Sequence, residues 1–142
     1  AARRAGVRRF VLASTARGEG YPEGEFVSPD MPARPLDMCA ATRLFGESLG
    51  RTYARRFGMS VIALRFGTVV EAGGEGVPGP AVTMRDACEM LAHAVEAEWT
   101  EFSAVPAVGG NWAGVRDLEL TRKVLGYSPR DEAGEAGRVR GG

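Results

Sequence analysis

The sequence lacks net charge and long apolar runs. Its 142 residues include 18 basic and 18 acidic side chains, so no overall field recruits nucleic acid or an anionic membrane, and neither is expected as a partner. No apolar run approaches the roughly 18 residues of a membrane-spanning helix, and the N-terminus has no apolar core of the signal-peptide kind. These absences favour a cytoplasmic protein.

Cysteine and histidine are also scarce. Cys39 and Cys88 stand in unrelated contexts without a metal-ligand spacing, so we expect free thiols, no disulfide and no metal. Cys88 falls on the apolar stripe of a predicted helix and is interpreted as a core residue. His93, the only histidine, falls on the opposite face and is expected to be solvated. Trp99 and Trp112 lack neighbouring runs of aromatic and basic residues, so they are interpreted as packing residues.

No glycine-rich dinucleotide loop occurs in a suitable context. Such a loop, G-x-G-x-x-G, stands between a strand and a helix and holds a pyrophosphate with main-chain N–H groups. Gly18-Glu19-Gly20 follows a predicted strand but leads into Tyr21-Pro22, and Gly73-Gly74-Glu75-Gly76 leads into Val77-Pro78. Both are interpreted as loop glycines.

Three short apolar runs predict strands that are buried on both faces of a parallel sheet. They cover residues 9–13, 60–66 and 102–108. The glycines and prolines of residues 67–82 predict a segment without regular structure. Strands and helices alternate along the chain, which predicts an α/β domain with about three or four mainly parallel strands and flanking helices.

Three helices are predicted between and after these strands. The first, Met38–Phe57, is capped by Asp37. The second spans residues 84–98 and begins at Thr83-Met84-Arg85-Asp86, which resembles a capping box. The third is short and is capped by Asp117. Apolar side chains recur at helical spacing in the first two, as Met38, Phe45, Leu49 and Tyr53, and as the core-facing stripe Met84, Ala87, Cys88, Leu91 and Val95.

The two ends of the chain differ from the rest. Residues 1–6 are typical of the last turn of a helix closed by glycine, as expected of a domain that has lost what came before it. Residues 134–142 alternate glycine with arginine and predict a disordered tail. We therefore assign the domain to residues 1–133.

Four segments together resemble the extended short-chain dehydrogenases, and within them the uronate dehydrogenase-like members of the NAD-dependent epimerase/dehydratase family. Their order and spacing match along most of the chain. The segments are AGVRRFVLAST at 5–15, PARP with CAATRLFGE at 32–47, ALRFGT at 63–68 and LGYSPRD at 125–131. The resemblance implies a partial Rossmann-like three-layer fold that corresponds to the C-terminal half of the family domain. It also implies NAD as cofactor and hydride exchange at a carbon-bound hydroxyl.

The resemblance implies an active site at three positions. In the family, a strand-end Ser or Thr polarises the substrate, a Tyr transfers the proton, and a Lys lowers the pKa of that Tyr and holds the nicotinamide ribose. Thr15 fills the first position, Cys39 stands where the Tyr is expected, and Arg43 stands where the Lys is expected. The family-equivalent cofactor contacts are Ala13, Ser14, Arg43, Phe66, Gly67 and Thr68.

Both replacements change the chemistry. A thiol on a short side chain does not reach where a phenol would place its proton, and a forked guanidinium does not replace an ammonium at a fitted site. Cys39 beside a helix N-terminus and Arg43 permits a second interpretation as a reactive thiolate, against that of a small residue that drifted into the site.

Three hypotheses for function remain. The first is a truncated, degenerate family member related to sugar or uronic-acid oxidoreductases that is not catalytic alone. The second is the C-terminal half of an NAD-dependent sugar or uronate dehydrogenase that is active only with an N-terminal Rossmann half supplying the glycine loop. The third is a non-enzymatic module that forms a homodimer through the Met38–Phe57 helix, as extended family members do.

Overall fold

The computed structural model describes residues 1–22, 24–72 and 77–134. Residues 73–76 lie outside the described residues, and so does the predicted tail 134–142 except for Gly134. The strands are β1 (Arg9–Thr15), β2 (Ser60–Phe66), β3 (Thr68–Val70), β4 (Ala81–Thr83) and β5 (Phe102–Ala107). The helices are α1 (Met38–Phe57), α2 (Met84–Glu96) and α3 (Leu118–Leu125). None of these helices is both long and apolar enough to cross a membrane.

The main sheet has the strand order β1-β2-β5, and both pairs are parallel. β2 lies in the centre and is buried almost along its whole length, which explains its unbroken apolar sequence. In the register Thr15 lies opposite Phe66, and Phe66 lies opposite Ala107. The alternating helices and parallel strands confirm the predicted α/β class, and the carboxyl ends of all three strands meet at one edge.

α1 begins and ends as predicted and packs on one face of the sheet. The Asp37 side chain accepts a hydrogen bond from the Ala40 N–H at 2.7 Å, which caps the helix. Two glycines permit a close approach, since a Cβ on Gly46 would meet Leu12 at 3.4 Å and one on Gly50 would meet Val61 at 3.0 Å. The larger apolar side chains of α1 therefore point away from the sheet.

α2 and α3 cover the other face and enclose the largest core cluster. Its fully buried members include Ile62, Leu64, Met90 and Val105, and Leu125 joins them from α3. Asp117 caps α3 by accepting a hydrogen bond from the Leu120 N–H at 3.0 Å, as predicted. The sheet therefore has helices on both faces, which gives the three layers that the resemblance implied.

The prediction of which side of α2 faces the core is wrong. The buried residues of the helix are Asp86, Ala87, Met90 and Ala94, so only Ala87 of the predicted stripe is buried. Met84, Cys88, Leu91 and Val95 are exposed, and Cys88 is therefore not a core residue. The cause is Asp86, whose buried carboxylate receives hydrogen bonds from the chain after α3 and turns that side of α2 inward.

Two further interpretations of single residues are corrected. His93 is half-buried rather than solvated, and its Nδ1 donates to the Leu125 carbonyl at 3.1 Å. Its ring lies 5.0 Å from that of Tyr127. Trp112 packs in the interior as predicted and donates to the Ala133 carbonyl at 2.8 Å, whereas Trp99 is exposed.

The prediction that residues 67–82 lack regular structure is also wrong in part. β3 and β4 pair in parallel and form a second, two-stranded sheet. The Thr68 N–H donates to the Pro80 carbonyl at 2.7 Å, and a Cβ on Gly67 would lie 2.5 Å from that same oxygen. Glycine is thus required at position 67 by a contact with a segment far along the chain, which a local pattern does not reveal.

Candidate active site

Thr15 is the last residue of β1, at the edge where the parallel strands end. Its Oγ1 accepts a hydrogen bond from the Arg17 N–H at 3.1 Å and so caps a short 3-10 turn, Ala16–Glu19. The side chain is half-buried, and the hydroxyl proton is left to donate outward. The structure thus places Thr15 where the carboxyl ends of parallel strands form binding sites in α/β proteins.

α1 brings the other two predicted catalytic positions to the end of β1 that carries Thr15. We call this region the Thr15 corner. Arg43 reaches across from the helix, and its Nη1 donates to the Ala13 carbonyl at 2.8 Å. Cys39 lies one turn earlier, in the first turn of α1, and is exposed. The hydrogen bond of Arg43 ties the helix to the end of β1, two residues before Thr15.

The predicted cofactor positions lie at the ends of β1 and β2, which are neighbours in the sheet. Several of their polar groups are already engaged. The Ala13 carbonyl holds Arg43, and the Ser14 hydroxyl donates inward to Glu47. The Gly67 N–H donates to Ala107, and the Thr68 N–H donates to Pro80. These polar groups of the Thr15 corner therefore already form hydrogen bonds within the protein.

A buried network below the corner was missed from the sequence. The Glu47 carboxylate accepts hydrogen bonds from Ser14 Oγ at 2.5 Å, from Arg65 Nε at 3.0 Å and from Arg65 Nη2 at 2.9 Å. The side chains of Arg65 and Glu47 are 7% and 8% exposed. The network joins β1, α1 and β2 at the residue before Thr15. Helical phase offered a signal, because Glu47 lies four residues after Arg43 on the sheet-facing side of α1.

A second buried polar centre fixes the segment after α3. Asp86 is fully buried and accepts hydrogen bonds from the Tyr127 hydroxyl at 2.6 Å and from the Asp131 N–H at 2.9 Å. Thr83 Oγ1 in turn donates to the Asp131 carboxylate at 2.7 Å. The last resemblance segment, residues 125–131, is therefore held against the start of α2. Burial, followed by the hydrogen bond to Asp86, raises the pKa of Tyr127 above its ordinary value.

Tyr127→Phe is expected to change how stability depends on alkaline pH. Below about pH 10 the phenol is protonated in both the folded and unfolded states, and above it the unfolded state releases the proton first. The free energy of unfolding therefore falls as pH rises beyond 10 in the wild-type chain, and less so in Tyr127→Phe. The variant should also lose about 1–3 kcal/mol at neutral pH, because Asp86 loses a donor.

Urea unfolding across this pH range measures both effects. Tyr53→Phe is the matched control, since Tyr53 is exposed on α1. It should leave the neutral-pH stability close to that of the wild type. An alkaline decline in Tyr127→Phe as steep as that of the wild type would contradict the assignment.

A cleft opens beside the turn that follows Thr15. It encloses about 310 Å³, a volume suited to a small ligand. The lining includes Arg17, Tyr21, Trp112 and Arg116. Arg17 also closes one wall by donating to the Pro78 carbonyl at 3.2 Å. Arg17, two residues after Thr15, is the lining residue nearest in sequence to the end of β1.

A family comparison identifies the group of proteins to which the chain belongs. The model of the NAD dependent epimerase/dehydratase family matches residues 1–118. The chain belongs to this family. The match includes Thr15, Cys39 and Arg43, together with the ends of β1 and β2.

Individual relatives place the chain near sugar-acid and sugar dehydrogenases. It is 41% identical over 69 residues to a uronate dehydrogenase of Agrobacterium fabrum, a match that covers 48% of this chain and 26% of that protein. It is 27% identical over 147 residues to an NAD-dependent glucose-6-phosphate dehydrogenase of Haloferax volcanii, with 92% and 56% covered.

Solved structures show the same likeness. The chain superposes on the uronate dehydrogenase of Agrobacterium tumefaciens, in a mutant complexed with NAD, with a TM-score of 0.82 and 28% identity. That match covers 93% of this chain and 50% of the enzyme. The glucuronic acid dehydrogenase of Chromohalobacter salexigens gives a TM-score of 0.79 at 22% identity, which shows the fold alone. The chain spans about half or less of the length of these relatives.

Proposed function

We propose that this chain is a degenerate member of its family, related to uronic-acid and sugar dehydrogenases, that performs no hydride transfer by itself. The observation that carries the proposal is which residues occupy the Thr15 corner and how they are bonded. The strand-end hydroxyl is present, but Cys39 stands at the proton-transfer position, and Arg43 is bonded to the Ala13 carbonyl. The cofactor of the family is NAD, and the proposed substrates are uronic acids or related sugars.

The proton relay supports this proposal. Because position 39 is Cys, Arg43 has no phenol one turn away to activate. Its hydrogen bond to Ala13 also points it at the strand rather than outward to a ribose. Cys39 offers a thiol on a side chain much shorter than a phenol, and geometry decides such a transfer before pKa does.

The described residues do not fit the pyrophosphate of NAD. A pyrophosphate binds where helix N-terminal N–H groups are open and the local charge is positive. Asp37 caps α1 with a carboxylate, Asp117 does the same for α3, and Asp86 lies in the first turn of α2. The N-termini of α1, α2 and α3 therefore each already carry an acidic side chain, which disfavours a pyrophosphate at any of the three.

The isolated chain is expected to form no NADH from NAD and a uronic acid, and Cys39→Tyr with Arg43→Lys is expected not to restore turnover. The double replacement restores the Tyr and the Lys but provides no site for the pyrophosphate of NAD. Holding the cofactor in reacting geometry supplies a large share of the rate acceleration of hydride transfer. Absorbance at 340 nm with glucuronate and galacturonate measures the rate, with the Agrobacterium fabrum enzyme as positive control. Steady NADH formation above a no-substrate blank, by either form, would refute the proposal.

A second candidate function is an enzyme half that works with an N-terminal Rossmann half. The observation that favours it is the position of Thr15 at the end of β1, a strand whose outer edge has no partner strand among the described residues. Such a partner would supply the glycine loop and cover that edge.

We further propose that the chain self-associates through α1 and resides in the cytoplasm. The outward face of α1 exposes Phe45, Leu49 and Tyr53, an apolar stripe that a second helix would cover. The free and exposed thiols of Cys39 and Cys88 are consistent with a reducing compartment.

A further inference from the structure

After α3, the chain passes over the main chain that follows β5 as a segment that we call the strap, residues 128–134. The Gly110 N–H donates to the Asp131 carbonyl at 2.8 Å. A Cβ on Gly109 would lie 2.9 Å from the Ala133 nitrogen and 3.1 Å from the Asp131 carbonyl oxygen. Glycine at position 109 therefore lets the strap lie directly on the main chain that leaves β5.

The strap is bonded to the 3-10 turn Gly110–Trp112. The side-chain amide of Asn111 accepts a hydrogen bond from the Ala133 N–H at 3.1 Å and donates to the Ala133 carbonyl at 3.3 Å. The same amide donates to the Gly134 carbonyl at 3.1 Å, and Trp112 Nε1 donates to the Ala133 carbonyl at 2.8 Å. Two neighbouring side chains thus hold the last two residues of the strap.

The strap also lies against the segment that contains β4. A Cβ on Gly134 would lie 2.8 Å from the Ala81 Cβ and 3.2 Å from the Gly79 carbonyl oxygen. Nearer to α3, the Asp131 carboxylate accepts a hydrogen bond from Thr83 Oγ1 at 2.7 Å. The strap therefore touches this segment both before and after β4 begins.

Both sets of contacts reach walls of the cleft beside the turn that follows Thr15. The lining of that cleft includes residues 78–80, from the segment before β4, and Trp112, from the 3-10 turn. The Gly109 N–H also donates to the Ala81 carbonyl at 2.8 Å, which joins the two walls directly. The strap thus packs against both walls and braces one against the other.

The two parts of the strap differ in how firmly they are held. Asp86, which is fully buried, accepts hydrogen bonds from the Arg130 N–H at 3.1 Å and from the Asp131 N–H at 2.9 Å. Among residues 128–134, all of which the structure describes, Ala133 alone has a buried side chain. A segment held by hydrogen bonds with little apolar burial opens at a lower free energy than a packed core. The end that carries Ala133 is therefore the part expected to detach first.

We propose that the end of the strap is a latch that sets the width of this cleft. In the closed form, Asn111 and Trp112 hold Ala133, and the strap keeps residues 78–80 close to Trp112. When the latch opens, the buried anchor at Asp86 stays in place, and residues 78–80 separate from Trp112. The closed cleft of about 310 Å³ admits a small ligand, and the open cleft admits a larger one. Neither NAD nor turnover enters this device, so its failure is separate from failure of the proposed function.

Amide exchange by NMR on the full chain, at urea concentrations below unfolding, tests whether the latch opens by itself. The reporters are Gly109, Gly110 and Ala133, whose N–H groups bond across the latch and the cleft walls, and Ile62, which is fully buried in β2. After correction for intrinsic rates, the three latch reporters should exchange together, at least about tenfold faster than Ile62, and respond only weakly to urea. Exchange of all four with one rate and one urea dependence would overturn the proposal. Exchange of Gly109 at the rate of Ile62 would also overturn it, because the walls would then stay joined while the strap opens.

Fluorescence of Trp112 tests access to the cleft. In a Trp99→Phe background Trp112 is the only tryptophan, and it is 2% exposed. Replacing Asn111 and Asp131 together with alanine removes latch contacts, so acrylamide should quench Trp112 roughly twofold or more strongly than in the background chain. Glu132→Ala is the matched control, because Glu132 is an exposed residue of the strap, and it should leave quenching unchanged.

Far-UV circular dichroism identifies the variants that keep the fold. A folded Asn111→Ala, Asp131→Ala chain whose Trp112 is quenched as in the background chain would count against the latch, and so would an equal gain in quenching by Glu132→Ala. If the double variant does not fold, amide exchange in the wild-type chain decides the proposal.

Discussion

Replacing Glu47 with alanine is expected to lower the free energy of unfolding by about 3–5 kcal/mol, because it removes the carboxylate that accepts two hydrogen bonds from the buried Arg65 guanidinium. The side chains of both residues are almost fully buried where α1 packs on β2. Ser14 loses its acceptor as well, which adds an unsatisfied hydroxyl beside the strand end. Urea unfolding followed by far-UV circular dichroism measures the loss.

Two controls separate burial from charge. Glu119→Ala breaks an arginine–glutamate pair of the same chemistry on the exposed surface of α3, and it should leave stability almost unchanged. The double replacement Glu47→Leu with Arg65→Met removes both charges and should recover much of the loss. A Glu47→Ala chain that is as stable as the Glu119→Ala chain would contradict the assignment of this network as the link between β1, α1 and β2.

This network is relevant to the candidate site through its position. Ser14 precedes Thr15, and Glu47 shares the sheet-facing side of α1 with Arg43. A change in the pairing of Glu47 with Arg65 therefore alters how the helix sits against the end of β1. Replacing Glu47 therefore tests the packing that supports the site and leaves Thr15, Cys39 and Arg43 themselves unchanged.

The elements that local pattern predicted well are those with local causes. α1 and β2 have the predicted bounds because an Asp cap, an interruption by glycine and an apolar run are all contained in neighbouring residues. The same holds for the cap of α3. The family resemblance then supplied Thr15, Cys39 and Arg43 as one site, which no periodicity would have grouped.

Two of the errors have causes that neighbouring residues do not contain. β3 and β4 are three residues each, and they exist because Gly67 permits the approach of Pro80. The phase of α2 is set by Asp86, which binds the segment after α3. A buried aspartate has the same sequence signature as a surface one, so periodicity placed the apolar residues inward instead.

The buried network was missed for a related reason. Glu47 and Arg65 both stand in segments that carry the family resemblance, yet charged residues on a helix and at a strand end are usually solvated. Their pairing joins residues from two elements, and it follows only once α1 is placed on the sheet. Sequence therefore grouped Thr15, Cys39 and Arg43 by resemblance, but it did not reveal the contacts that hold α1 against the end of β1.

The second large effect is expected when a cofactor-binding half from a relative is fused to the chain. We propose a graft in which the part of the Agrobacterium fabrum uronate dehydrogenase that precedes its match to this chain is fused ahead of residue 1. With Cys39 and Arg43 in place, the graft should bind NAD and form little or no NADH. With Cys39→Tyr and Arg43→Lys, the rate should rise by about 10²–10⁴-fold, the usual contribution of a positioned proton donor or acceptor.

A third form of the graft adds Thr15→Ala to the Cys39→Tyr and Arg43→Lys replacements. Removal of the strand-end hydroxyl should lower the rate again while NAD binding persists, because Thr15 is assigned to the substrate rather than to the cofactor. NAD binding is followed by titration calorimetry, so a misfolded graft is recognised by its failure to bind.

The most direct measurement is the rate of NADH formation from glucuronate by the NAD-binding graft, compared between the native pair and the repaired pair. Turnover is expected only with Tyr at position 39 and Lys at position 43. Equal rates for the native and repaired grafts, or a repaired graft that binds NAD and forms no NADH, would contradict the assignment of Thr15, Cys39 and Arg43 to the active-site positions of the family.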